Sequence, residues 1–446
     1  MSKRAHAPGQ GSRTPPASGR KPSRSLCPCN IDQIGDDLML YYRQFHGAFQ
    51  RREQRHCSAF YLCGQLSALE RKTIEPMVLA LHGSDLNAIR ALQQFIGQGH
   101  WSARDVMREH QQLVAQSLGD PHGVLIVDGS GFPKQGPCSA GAAYQYCGHL
   151  GKLANCQEGV FLVYASQHGH TFLDGRLYLP EDWFDAEHAT LRRRCGIADE
   201  IVFQTEPAIG LQMINAVHSR GVVPFQWVAC DEHYGQNTAF LDGIAGLHKW
   251  YVAEVPSDTR VWLRTPAIQQ PGRGPMGRPR IHPRVAPHAP RSRALRDIAT
   301  ALPARAWSRY LIKEGSQGPM WADFAFLRVT MVRAGLPGPR VWAILRRGLD
   351  TSVLKFHLSN APLDCERSEL AQLSGWRWPI ETTLEEAKGE VGMDHYETRS
   401  WVGWHHHMVQ TFLAHHFLVR LQLRLKKSPG THRRSGSPVG SLCVAG

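Results

Sequence analysis

No run of ~18 consecutive apolar residues occurs in the chain, and no apolar stretch follows its basic N-terminal residues. The first absence excludes a helical membrane span and the second a secretory signal, so a cytoplasmic protein with no membrane partner is expected. Internal repeats are also missing. "GSGFPKQG" at 129–136 has glycines but lacks the spacing of a phosphate-binding loop, which argues against nucleotide hydrolysis. The eleven cysteines are odd in number and scattered, and read as reduced thiols rather than a disulfide framework. Cys27 and Cys29, Cys57 and Cys63, and Cys138, Cys147 and Cys156 lack the paired spacing of a zinc site.

Acidic residues are absent from three stretches. Residues 1–31 hold Lys3, Arg4, Arg13, Arg20, Lys21 and Arg24 with no acid, and 420–446 hold Arg420, Arg424, Lys426, Lys427, Arg433 and Arg434 with none. Arg273 to Arg296 adds seven arginines, again without an acid. The net charge of +13 therefore sits in arms around a remainder that is net acidic. Such arms either neutralise phosphates, giving salt-sensitive affinity for nucleic acid, or are solvated tails.

The 446 residues and 42% hydrophobic content allow two or three modules with a sizeable core. Residues 1–31 and 428–446 read as disordered basic tails. Between 32 and 120, stretches such as "LMLYYRQFHGAFQR" and "ARDVMREHQQLVAQSL" repeat apolar residues every three or four positions and predict a helical, DNA-binding domain. The period then changes. "VLIVD" at 124–128, "GVFLVYASQHG" and "HTFLDGRLYLP" predict a three-stranded meander, with "GSGFPKQG" as a turn after the first strand. A helix over "PAIGLQMINAVHSRG", a strand in "VPFQWVACD", a helix near 236–247 and a strand at "WYVAEVP" complete a mixed α/β sheet within 121–262. Residues 263–350 predict a strand-rich insertion containing the arginine and proline-rich loop, and 351–427 a second, mainly helical part of the core.

Asp128 and Asp231 each close an apolar strand, where a carboxylate is costly unless paired or coordinated. Either can also be an ordinary turn residue. In "WRWPIETTLEEAK", 376–388, Pro379 predicts a helix from about 379, with Trp378 before it outside the helical region. Ile380, Leu384, Ala387 and Val391 form its buried stripe, and Glu381, Glu385 and Lys388 run beside it. Taken alone, Glu381 is a first-turn acid and Glu385 with Lys388 a surface pair. Taken with the two aspartates, Glu381 completes a set of hard oxygen donors suited to two divalent metals, which in turn suit phosphodiester cleavage. Lys134 and His233 follow the two aspartates closely. His405, His406 and His407 are consecutive, so a helix would point them in different directions.

These residues resemble bacterial insertion-sequence transposases of the DDE class, the branch with a ribonuclease-H-like core and a Y-x2-R-x3-E-x6-K motif. The motif reads "SGWRWPIETTLEEAK" here, with Arg377, Glu381 and Lys388 in place and Ser374 where the tyrosine stands. "VDGSGFPKQG", "YQYCGHLGKLANCQ", "RLYLPEDW", "CDEHYGQN" and "YETRSWVGWHHH" are similar as well. The resemblance implies an α/β, ribonuclease-H-like mixed sheet interrupted by the insertion, with an α-helical N-terminal domain. It further implies that Asp128, Asp231 and Glu381 bind two Mg²⁺ ions, for which Mn²⁺ can substitute, to cut transposon ends, after which the freed 3′-hydroxyl is joined to target DNA. Arg377 and Lys388 would contact phosphates, Trp376 and Trp378 would stack on a displaced base or pack in the core, and Lys134 would meet DNA. The implied partners are double-stranded DNA, as terminal inverted repeats and target, and a second copy of the chain, in the nucleoid region of a bacterial cytoplasm. A non-catalytic DNA-binding protein or transposition inhibitor of the same fold is the alternative. A glycosidase using paired carboxylates is a further one, but it explains neither the arginine-rich stretch nor the distant third acid.

Overall fold

The structure is a computed structural model that describes residues 28–148, 150–272, 281–315, 318–349 and 353–427. The expected tails, apart from residues 28–31, and Arg273 to Arg280 of the arginine-rich loop lie outside the described residues. The N-terminal helices are α1 (Pro28–Arg43), α2 (Arg52–Leu66), α3 (Ile74–His82), α4 (Leu86–Gly97) and α5 (Ala103–Leu118). α1 starts inside the stretch expected to be a tail, with a proline at its first position, where no amide hydrogen is needed. Asp85 and Ser102 cap α4 and α5 by accepting from backbone amides two or three residues on.

Strands β1 (Val124–Pro133), β2 (Ala143–Cys147), β3 (Lys152–Ser166) and β4 (Gly169–Leu177) follow. β1 is longer than expected. "GSGFP" continues as a strand instead of turning, because Gly129 to Pro133 stay in register with Val160 to Cys156 of β3. β2 is an additional strand, antiparallel to the start of β3. Next come α6 (Ala189–Arg194), α7 (Glu206–Arg220), β5 (Trp227–Cys230), α8 (Glu232–Gly235), α9 (Thr238–Gly246) and β6 (Trp250–Glu254). The remaining strands are β7 (Arg260–Trp262), β8 (Ile268–Gln269), β9 (Arg284–Val285), β10 (Arg293–Ala294), β11 (Ser308–Gly315), β12 (Gly318–Arg333), β13 (Leu336–Gly348) and β14 (Leu354–Ser359). The helices α10 (Leu295–Ala301), α11 (Arg367–Leu373), α12 (Trp378–Val391) and α13 (Trp401–Lys427) complete the α-helices and strands of the described residues.

β1 lies antiparallel to β3 and parallel to β5, and β5 is parallel to β6. Beyond β6 the sheet continues through β14, β13, β12, β7 and β10, so β10 to β13 of the 263–350 segment extend the same sheet, while β8 and β9 pair separately. One face buries Ile126, Val163 and Phe172 against Ile380 and Leu384 of α12 and Trp404 and Phe412 of α13. The other buries Leu125, Val127 and Leu162 against Met213 of α7, Phe240 of α9 and Ile298 of α10. Mixed α/β architecture is thus observed.

α13 joins the N-terminal helices to this sheet through buried polar contacts. Tyr61 of α2 lies 2.8 Å from His407 Nδ1, Gln65 Nε2 donates to Thr411 Oγ1 at 2.8 Å, and Gln410 Nε2 donates to Ser58 Oγ at 2.9 Å. Among the described residues no helix is long and apolar enough to cross a membrane.

Candidate active site

Four fully buried residues, Val124 to Val127, carry β1 to Asp128. On the parallel neighbour, Cys230 aligns with Val127, so Asp231 emerges beside Asp128. Asp231 is held there by its role as helix cap: Oδ1 accepts from the Tyr234 amide at 3.2 Å and starts α8. Asp128 Oδ1 accepts from the Gly129 amide at 2.9 Å. One strand further along, Cys230 aligns with Ala253, and Glu254 ends β6. On three adjacent parallel strands, Asp128 within β1, Asp231 directly after β5 and Glu254 at the end of β6 therefore lie side by side.

Glu381 reaches this group from α12. Arg377, at the cap position of that helix, donates through Nη2 and Nε to Glu381 Oε1 at 2.7 and 3.2 Å. The same guanidinium stands 4.0 Å from Asp128 Oδ2 and 3.9 Å from Glu254 Oε2. Burial, and then the repulsion of Asp231, pushes the Asp128 carboxyl up to about 7 against the pull of Arg377. Burial also acts to raise Glu254, but His357, Lys355 and Arg377 hold it below the usual carboxylate range. Glu254 is absent from the sequence-based site. Its signal was a carboxylate closing the apolar run "WYVAE", the same one that marked the aspartates.

A second pair of acids lies next to the first. Glu158 of β3 and Glu206 of α7 meet over Gly129, where an added β-carbon would lie 2.8 Å from Glu158 Oε1 and 3.4 Å from Glu206 Oε2. Burial and then Glu206 push Glu158 up to about 8, with Lys388 opposing. Burial raises Glu206 too, while His233 stands 3.8 Å from it. Neither glutamate closes a strand, so the pattern that marks the aspartates does not reach them. Lys388 turns toward β1, donating to Ser130 Oγ at 2.9 Å and Gly131 O at 3.4 Å. The cluster as a whole has more carboxylates than cations.

The other sequence-derived residues are placed as follows. Trp378 begins α12, inside the helix rather than before it, because Arg377 already has helical backbone angles. Its ring is 46% exposed, with the Lys313 ammonium 3.9 Å above it. Trp376 packs partly buried against the core. Lys134 is covered by the Tyr396 ring at 3.6 Å, and burial pushes its ammonium down to about 8. Ser374 is buried, its hydroxyl donating to Ala371 O at 2.7 Å. His405, His406 and His407 diverge to separate backbone carbonyls, at Trp401, at Ile96 and Trp101, and at Met393.

Among the described residues no three His, Cys, Asp or Glu side chains form a ready metal-binding group, and Glu381 is engaged by Arg377. The chemistry of the donors fits a hard divalent cation all the same. The ligands on offer are carboxylates, and burial beside Asp231 raises the Asp128 carboxyl, a penalty on its charged form that a bound cation would offset.

Residues 44–319 match the family model described as DDE superfamily endonuclease. A stretch of 197 residues, 44% of the chain, is 28% identical to a probable transposase for insertion sequence element IS701 from Microchaete diplosiphon and covers 47% of it. The chain thus spans about half the length of that relative. The family match contains Asp128, Asp231 and Glu254 and ends before α12.

Proposed function

The chain belongs to the DDE superfamily of endonucleases, and on that premise we propose that it is an insertion-sequence transposase. Its substrates are the terminal inverted repeats of an element and a target duplex, and its reaction is phosphodiester cleavage followed by transfer of the 3′-hydroxyl. The observation that carries this reading is the meeting of Asp128 and Asp231 on adjacent parallel strands, with the Arg377–Glu381 pair closing the group from α12. The antiparallel β4–β3–β1 meander continued by parallel β5 and β6 supports a ribonuclease-H-like core. On this reading 32–120 and the basic arms serve DNA binding, and 263–350 is an insertion built onto the core sheet.

Asp128, Asp231 and Glu381 would hold two Mg²⁺ ions, or Mn²⁺ in their place, which when bound supply an activated water and neutralise the leaving oxygen. The protein's own groups do the rest. Arg377 and Lys388, once drawn onto DNA, neutralise phosphate oxygens, Arg377 with the two-pronged geometry a guanidinium allows. Glu254, 3.9 Å from Arg377, would keep that guanidinium in place were Glu381 to serve as a ligand. Trp378, exposed at the start of α12, offers a face for stacking, and Trp376 supports the helix from below. Cutting two ends in one event calls for a homodimer on DNA, working in the nucleoid.

One contact favours the alternative of a non-catalytic DNA-binding or inhibitor protein: the 2.7 Å bond that commits Glu381 to Arg377. Incubation of a duplex bearing the element's terminal repeats with Mg²⁺ separates the two. Strand cleavage is expected from the wild-type chain, with a loss of roughly a thousandfold or more in Asp231→Ala. Tight binding without cleavage in any divalent metal would establish the alternative.

A further inference from the structure

The hairpin of β2 and the start of β3 leaves one face bare. Along β2 the side chains alternate: Tyr144 and Tyr146 are 75% and 63% exposed, while Cys147 is buried. Leu153, the cross-strand partner of Tyr146, is 57% exposed, and Leu150 in the connecting turn is 42% exposed. The opposite face is covered. Cys147 packs on Gly131, where an added β-carbon would come within 2.7 Å of its sulfur. Gly131 is also the residue whose carbonyl accepts from Lys388. The ribbon therefore stands at the rim of the carboxylate cluster, anchored by one face and presenting the other to solvent.

Two tyrosines and two leucines left in water on one small ribbon call for an occupant. Charge identifies it. From Gly129 to Gln157 the sequence has no acidic residue, while Lys134 and Lys152 are basic; Lys152 is exposed in the ribbon itself. A ribbon without acidic residues that carries the exposed Lys152 suits a polyanion better than the carboxylate cluster beside it, and a two-stranded ribbon has the width of the DNA major groove.

We propose that the β2–β3 hairpin is a DNA-contacting wing: Tyr144, Tyr146 and Leu153 enter a groove of the duplex that flanks the scissile bond, and Lys152 meets its backbone. The tyrosine rings and Leu153 make apolar contact with base edges and sugars, and Tyr144 and Tyr146 hydroxyls can donate to phosphate or base acceptors. The wing rests on the transposase reading, since it needs a DNA substrate, but its test does not use cleavage.

The test measures fluorescence anisotropy of a short labelled duplex of mixed sequence titrated with the full chain over a range of salt concentrations. The variants are the double Tyr144→Ser, Tyr146→Ser and the single Lys152→Gln. All three side chains are exposed, so the folded state should persist, as circular dichroism will show. The tyrosine double variant is expected to bind roughly tenfold more weakly with an unchanged salt slope, because no phosphate charge is lost. Lys152→Gln should lower the slope by about one. Unchanged affinity in the double variant overturns the wing. So does a dimer in sedimentation without DNA that the double variant disrupts, which assigns the face to a second copy of the chain. A wild-type chain that binds no duplex overturns the transposase reading itself, an outcome distinct from losing the wing alone.

Discussion

Arg377 divides one guanidinium among three carboxylates, at 2.7 Å from Glu381, 3.9 Å from Glu254 and 4.0 Å from Asp128. Three acids drawn to one partially buried cation repel one another, and the cation is what makes their approach tolerable. Removing it by Arg377→Ala should lower stability by about 1–2 kcal/mol in chelator, a figure discounted for the partial exposure of the side chain. Millimolar Mn²⁺ should recover most of that loss if the acids accept a metal in its place. Urea unfolding in EDTA and in Mn²⁺ measures both, and an equal loss in the two conditions would remove the case for a metal at these carboxylates. Asp128, Asp231, Glu381 and Arg377 were legible in the sequence because each interrupts an apolar pattern or belongs to a spaced motif. Glu158 and Glu206 were not, since what makes them unusual is their meeting over Gly129, a contact between residues far apart in the chain.

Among elements, the short helix α8 has little tolerance for change. It begins with Asp231 as its cap and ends at Gly235, where a β-carbon would collide with the Glu254 carbonyl oxygen. The glycine thus lets the helix that orients one carboxylate pack against the strand that carries another. Gly235→Ala should destabilise the chain by about 1–3 kcal/mol and displace Asp231, cutting cleavage more than DNA affinity. Gly246→Ala is the control, since nothing lies within 4 Å of a β-carbon there and a helical glycine gains from the change. Thermal melts of both variants check the pair, and an unaltered Gly235→Ala protein would contradict the packing argument. Elements with a strong period, such as α5 and α7, were readable because burial repeats along them. β1 was cut short at Asp128 because glycine, serine and proline read locally as a turn, whereas pairing of Gly129 to Pro133 with β3 keeps them extended. Trp378 was placed outside α12 by the restraint a following proline exerts, yet the helix begins on it.

For the whole molecule, the sheet and the N-terminal helices share α13, and that joint is built from neutral histidines. The sheet's continuity through β14, β13 and β12 was not visible from sequence, because strand order depends on pairings between distant segments. The histidines were visible as a run but not as a joint. His407 in its neutral form accepts from the Tyr61 hydroxyl and donates to Met393 O, tying α2 and the residues after α12 to α13. Burial pushes His407 and His405 down to about 4, and His110 of α5, bonded to Phe172 O, likewise to about 4. The folded chain thus binds these protons less readily than the unfolded one, whose histidines titrate near 6.5. Their contribution to stability is complete above pH 6.5 and is lost as pH falls through that value toward 4, each histidine accounting for up to about 3 kcal/mol at full titration. Melting temperature should therefore fall steeply from pH 6.5 to 4.5, with tryptophan fluorescence reporting separation of the N-terminal helices around Trp101. His407→Gln, which keeps a hydrogen-bonding side chain without the titration, should give a shallower dependence. A flat profile for the wild-type chain over this interval would show that the joint does not rest on neutral imidazoles.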